Sequence, residues 1–88
     1  MELEAQWNPI KNEWLRLTRG TSFQDLKDHG ILLGTRRHPH RTGQRIMLFE
    51  YRGYIWVVPY IGTEKGKFLK TLYPSRKYTK LYRRGAIL

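Results

Sequence analysis

Eighty-eight residues suffice for one domain, residues 1–88, with a thin core. Seventeen Lys and Arg against seven Asp and Glu leave a formal net charge of +10, a field that attracts polyanions such as nucleic acid or an acidic protein. The absence of Cys excludes disulfides and thiolate metal sites, and no apolar run is long enough for a membrane-spanning helix.

Hydrophobic residues make up 40% of the chain and include three Trp, six Tyr and three Phe, so it reads as a folding domain and not a disordered basic tail. The charge is uneven. Five of the seven acids lie in the first 28 residues, and only Glu50 and Glu64 follow. Met1-Glu2-Leu3-Glu4 is acidic and has no signal-peptide apolar core, so a cytoplasmic location is the expectation.

In chain order, Leu3 to Trp7 alternates apolar and polar, a short strand signal. Asn8-Pro9 reads as a helix start, with Asn at the N-cap and Pro at the first helical position. Ile10, Trp14 and Leu17 fall at i, i+4, i+7 and form one apolar face, and Trp14 is expected in the core. Gly20 stops this helix. A second, short helix starts at Thr21 with Gln24 or at Ser22 with Asp25, both at capping-box spacing, and ends at Gly30.

Ile31 to Gln44 reads as a long connection. Ile31-Leu32-Leu33 is a short buried segment or the end of the helical region, and Gly34 to Gly43 is a charged loop. Then comes a β-meander. Arg45 to Tyr51 is a strand, Arg52-Gly53 a hairpin turn, and Tyr54 to Ile61 a strand apolar on both faces. Pro59 cannot donate to the ladder, so a bulge there or pairing that ends near Val58 is expected. Gly62 to Gly66 turns the chain into a third strand, Lys67 to Tyr73. Pro74-Ser75 breaks that strand and caps a helix from Arg76 to about Arg84, with Tyr78, Leu81 and Tyr82 toward the sheet and Gly85 as its stop. The expected fold class is α+β, a small antiparallel β-meander packed with N-terminal helices and a C-terminal helix, in the order β-α-α-β-β-β-α.

Three groups of residues carry candidate chemistry. In the last helix Arg76, Lys80 and Arg83 share a face opposite the tyrosines, and Lys77 and Arg84 add charge. Arg76 sits in the first helical turn, where free backbone N–H groups favour a phosphate. The loop group holds Arg36, Arg37 and Arg41 as RNA contacts, with His38 and His40. Imidazole changes charge near neutral pH and suits a general base or acid. His-Pro-His has no nearby Asp, Glu or Cys to complete a metal site, so no metal or other cofactor is expected. The third group is aromatic: Tyr51, Tyr54, Trp56, Tyr60, Tyr73 and Tyr78 are core rings or platforms for unpaired bases, with Trp56 read as core.

Trp7-Asn8-Pro9-Ile10-Lys11-Asn12-Glu13-Trp14-Leu15, Arg19-Gly20-Thr21-Ser22-Phe23-Gln24-Asp25, Gln44-Arg45-Ile46 and Tyr73-Pro74-Ser75-Arg76-Lys77-Tyr78-Thr79-Lys80 together resemble the BrnT-like toxins of type II toxin–antitoxin systems. Those open on a W-D-P-x-K helix followed by K-H-G-(I/V)-S-F-x-D, and end on S-A-R-x-A. The chain departs at Thr18-Arg19-Gly20, where the family carries Lys-His-Gly. It departs again in the last helix, where Lys80, Tyr82 and Arg83 stand in place of an acidic residue. The resemblance implies a RelE/ParE-like fold and metal-independent RNA cleavage that inhibits translation, held off by an antitoxin protein encoded next door and expected to be acidic.

On that reading the 2′-hydroxyl attacks the adjacent phosphate, and fixed cations stabilise the transition state. Arg45 and Arg76 are the candidate catalytic cations. Lys77 or Lys80 holds flanking phosphates or protonates the leaving oxygen, and His38 is the candidate base with Tyr78 as its rival. Arg83 and Arg84 extend the RNA contact. The reading requires Arg45 and Arg76 to share a cleft. The rival reading is a non-enzymatic RNA- or DNA-binding module on the same basic face, and a third is a protein-interaction domain whose basic face meets an acidic partner.

Overall fold

The computed structural model describes residues 5–86. Leu3 and Glu4 of the expected first strand lie outside them; what is seen of that strand is β1, Ala5–Gln6. Helix α1, Pro9–Arg19, starts as its sequence dictates. The Asn8 side chain accepts from the N–H groups of Ile10 and Lys11 at 2.8 and 3.2 Å, and Pro9 occupies the first turn. Gly20, at φ 71°, ends it in the left-handed conformation. Helix α2, Phe23–His29, begins on the Ser22–Asp25 capping box, the second of the two expected registers. At its end Gly30 is extended, and its value is space. A Cβ there would stand 2.7 Å from the Leu26 carbonyl oxygen and 3.2 Å from the Phe49 ring.

The connection expected from Ile31 onward is a strand over half its length. Strand β2, Ile31–Arg37, pairs antiparallel with β3, Arg45–Tyr51, with a register shift between Leu32 and Gly34. The loop shrinks to residues 38–44. Arg52 and Gly53, at φ 54° and 77°, make the tight turn into β4, Tyr54–Thr63. β4 continues into β5, Gly66–Leu69, and the expected third strand then breaks, resuming only as β6, Tyr73–Pro74. Helix α3, Arg76–Arg83, follows on its Ser75 cap. The sheet order is β1-β5-β4-β3-β2 with β6 also on β4. All pairings are antiparallel except β1 with β5, so the sheet is mixed and the domain α+β.

Pro59 neither bulges nor ends the β3–β4 ladder, which runs unbroken from Arg45↔Tyr60 to Tyr51↔Tyr54. The carbonyl of Pro59 accepts from the Lys70 N–H at 2.8 Å, on the β5 side. The N–H and C=O of one strand residue point to the same neighbour, so the missing donor faces β5 and not β3. The neighbour on that side gives way: β5 ends at Leu69 and β6 begins at Tyr73.

Alternation along β3 and β4 divides the core between two faces. Met47, Phe49, Tyr51, Val58 and Tyr60 join Leu15 of α1 and Phe23 and Leu26 of α2 on one face. Ile46, Leu48, Ile55 and Val57 meet Leu33, Tyr78 and Leu81 on the other, under α3. Trp56, expected in the core, is half-buried and packs against the edge of the first cluster. Trp14 is not a core residue. Helix α1 packs through Leu15, which is fully buried, and leaves Ile10, Trp14 and Leu17 at 81, 47 and 73% exposure. Tyr82 is also exposed; Thr79 takes the buried position on α3 that the tyrosine was expected to share.

Candidate nucleic-acid interface

The β2–β3 loop folds on itself. The His38 N–H donates to the Gln44 carbonyl at 3.1 Å, the Gln44 N–H to the Arg41 carbonyl at 3.3 Å, and Gly43 turns at φ 81°. It walls a cavity of about 600 Å³ that runs from Arg37 to Arg45. A neighbouring cleft of about 340 Å³ shares His38, Arg41 and Gln44 with it and is closed by Pro59, Lys70, Thr71 and Tyr73. The sheet explains this meeting. Pro59 is opposite Ile46, beside the loop, and it also holds Lys70 through its carbonyl, so it stands between the loop and the β5–β6 connection.

The cleft joins a hydrophobic floor at Pro59 to two cations, Arg41 and Lys70. It also holds an imidazole and a phenol. The His40 N–H donates to His38 Nδ1 at 3.1 Å. That contact turns the His38 ring on the loop's own backbone and fixes its place in the cleft wall. Burial, and next the charge of the Tyr78 phenol, pushes the Tyr73 phenol above its ordinary range. Tyr73 therefore keeps its proton at neutral pH and offers an O–H hydrogen-bond donor, 39% exposed. Among the described residues no three His, Asp or Glu side chains gather to hold a metal ion.

No protein-family model matches the chain, and no curated protein or solved structure matches it. The site therefore rests on its own geometry.

Arg45 and Arg76 share no cleft. Arg45 pairs with Tyr60, whose ring belongs to the α1–α2 face, and its guanidinium donates to the Thr35 hydroxyl at 3.2 Å. Arg76 opens α3 on the opposite face, one residue after Ser75, whose N–H donates to the Ile55 carbonyl. Ile55 is opposite Glu50, five residues along β3 from Arg45, which amounts to about 17 Å of strand. The two-cation grip that the sequence suggests does not form.

The remaining candidates divide the same way. Arg37 and Arg41 are exposed at the loop, and half-buried Arg36 donates to its neighbour's Thr35 carbonyl at 2.9 Å. Arg36 pairs with Ile46 and so lies on the α3 face. Lys77 stands 5.7 Å from the centre of the half-buried Tyr78 ring, and Lys80 and Arg84 are exposed. Arg83 reaches back to the Gly53 carbonyl at 3.2 Å, which places the end of α3 at the β3–β4 hairpin. Of the proposed stacking platforms, Tyr51 and Tyr60 are core, Tyr54 is half-buried, and Tyr73 alone lines the cleft.

Sequence reasoning missed Lys70 and Thr71 by placing them inside a continuous strand. The signal was Pro59. A proline within an inner strand obliges the neighbour facing its missing N–H to leave the ladder, and side chains at that break are free to line a cleft.

Proposed function

We propose that this chain is an RNA-binding domain of the toxin type, which grips the ribose-phosphate backbone in the cleft between the β2–β3 loop and the β5–β6 connection. The observation that carries this reading is the convergence of Arg41, Lys70, His38 and Tyr73 on one cleft in a chain of formal net charge +10. Two cations, an imidazole and a phenol suit the non-bridging oxygens of a phosphodiester, and one exposed ring suits an unpaired base. The resemblance to BrnT-like toxins adds a cytoplasmic setting, cleavage of the gripped strand and restraint by an acidic antitoxin. In that step a water molecule takes the 2′-hydroxyl proton as the 2′ oxygen attacks phosphorus, Arg41 and Lys70 stabilise the developing charge, and the Tyr73 phenol protonates the leaving 5′ oxygen.

The separation of Arg45 from Arg76 favours the second reading, a binder without cleavage. Purified protein incubated with single-stranded RNA decides between them. Products with 2′,3′-cyclic phosphate and 5′-hydroxyl ends, lost in Lys70→Ala and Tyr73→Phe, establish cleavage. Salt-sensitive retention of intact RNA, weakened by Lys70→Ala, establishes binding alone. No affinity for RNA at low salt sinks both.

A further inference from the structure

Helix α1 exposes the wrong face for a helix that serves only the core. Ile10, Trp14 and Leu17 lie at i, i+4, i+7, and together with Pro9 and Glu13 they line an open, apolar cleft of about 480 Å³. Exposures of 81% for Ile10 and 73% for Leu17 leave both side chains almost wholly to solvent. Their contribution to the fold is correspondingly small, and an exposed apolar stripe of this kind marks an interaction surface. The stripe is ringed by positive charge. The Lys11 ammonium lies 4.7 Å and the Arg19 guanidinium 5.8 Å from the centre of the Trp14 ring. The one acid in the cleft, Glu13, is already bound to Arg16.

We propose that this stripe docks an amphipathic helix of an acidic protein partner, with that helix's apolar residues on Ile10, Trp14 and Leu17 and its carboxylates on Lys11 and Arg19. The spacing is that of helix-in-groove recognition, and the flanking charge selects an acidic occupant. A second copy of the chain brings the same cations to the contact and is repelled. The surface lies on the α1–α2 side of the sheet, whereas the RNA cleft uses Pro59 and Tyr73, which pair with Ile46 and Val57 of the α3-side cluster. The identity of the occupant rests on the proposed pairing with an acidic protein. The surface itself does not depend on RNA binding.

The test uses the full chain and a fluorescent helical peptide of about 20 residues, with Leu at i, i+3, i+4, i+7 and Glu on the flanking positions. Wild type binds it, and fluorescence anisotropy reads an affinity about tenfold or more weaker for Trp14→Ala and for Leu17→Arg, as for a central anchor. The same peptide with Lys for Glu binds more weakly to wild type, and Lys11→Glu narrows that difference. Both surface variants keep the wild-type thermal midpoint and RNA affinity, while Lys70→Ala loses RNA affinity and keeps the peptide. Equal affinity of wild type and Leu17→Arg for the acidic peptide overturns the proposal. So does self-association of wild type that Leu17→Arg abolishes, or Leu17-dependent binding to phosphatidylglycerol vesicles in place of the peptide.

Discussion

Arg52 occupies the left-handed region at φ 54°, in a turn whose two central residues both need positive φ. A residue with a Cβ is strained there by about 1 kcal/mol, and Asn tolerates the conformation better. The Arg52 guanidinium lies 5.1 Å from the centre of the Tyr51 ring, a contact at an exposed position worth about 0.5 kcal/mol. The strain outweighs the contact. Arg52→Asn is expected to stabilise the fold by about 0.5 kcal/mol, read as a higher urea midpoint at unchanged slope. Glu13 offers a second test at the same scale. The Arg16 guanidinium, by hydrogen bonding and by its charge, holds the Glu13 carboxyl below the ordinary carboxylate range. A carboxyl depressed in the folded state contributes stability above its unfolded pKa and loses it as pH falls through the folded value. NMR titration of Glu13 is expected to give a midpoint below that of an unpaired Glu, and Arg16→Ala to return it upward.

Helix α3 is tied to β4 by one buried hydroxyl. Thr79 Oγ1 accepts from the Ile55 N–H at 2.9 Å and donates to the Ser75 carbonyl at 2.6 Å. Thr79→Val keeps the shape and leaves a buried N–H without an acceptor, an expected loss of about 1–3 kcal/mol in chemical denaturation. Conversion of Thr79 to Ser restores most of it. The legibility of the elements follows from the range of the forces that make them. The caps at Asn8, Ser22 and Ser75 and the Arg52-Gly53 turn are local, and each was readable from neighbouring residues. Strand β2 was not. Its Gly34, its two Arg and its exposed Ile31 and Leu32 are loop-like in composition, and it becomes a strand because the free edge of β3 offers it partners from Glu50 to Arg45. The face of α1 misled for a related reason. Its apolar stripe is real, but Leu15 and the Arg19 bond to the Leu72 carbonyl fix which side meets the sheet.

Across the whole molecule, the basic cleft and the apolar stripe of α1 lie on different sides of one sheet. Arg36, the cleft and α3 lie on the α3 side, and the Ile10–Trp14–Leu17 stripe lies on the other. The net charge leads the sequence reading to expect a polyanion, but only the sheet register shows that Arg45 lies on the α1–α2 side and that Lys70 joins the cleft. This arrangement sets an expectation for salt dependence. Each phosphate neutralised on a single strand contributes about 0.7 to the slope of log affinity against log salt. A short RNA that fills only the cleft is expected to lose about 0.7 of slope in Lys70→Ala and in Arg41→Ala, and none in Arg76→Ala or Arg45→Ala. A longer strand can run from the cleft along α3, since both lie on one side of the sheet, and its slope then falls in Arg76→Ala as well while Arg45→Ala stays without effect. A loss for Arg45→Ala with none for Lys70→Ala in the short RNA would show that the backbone passes over the loop cavity and bypasses the Pro59 cleft.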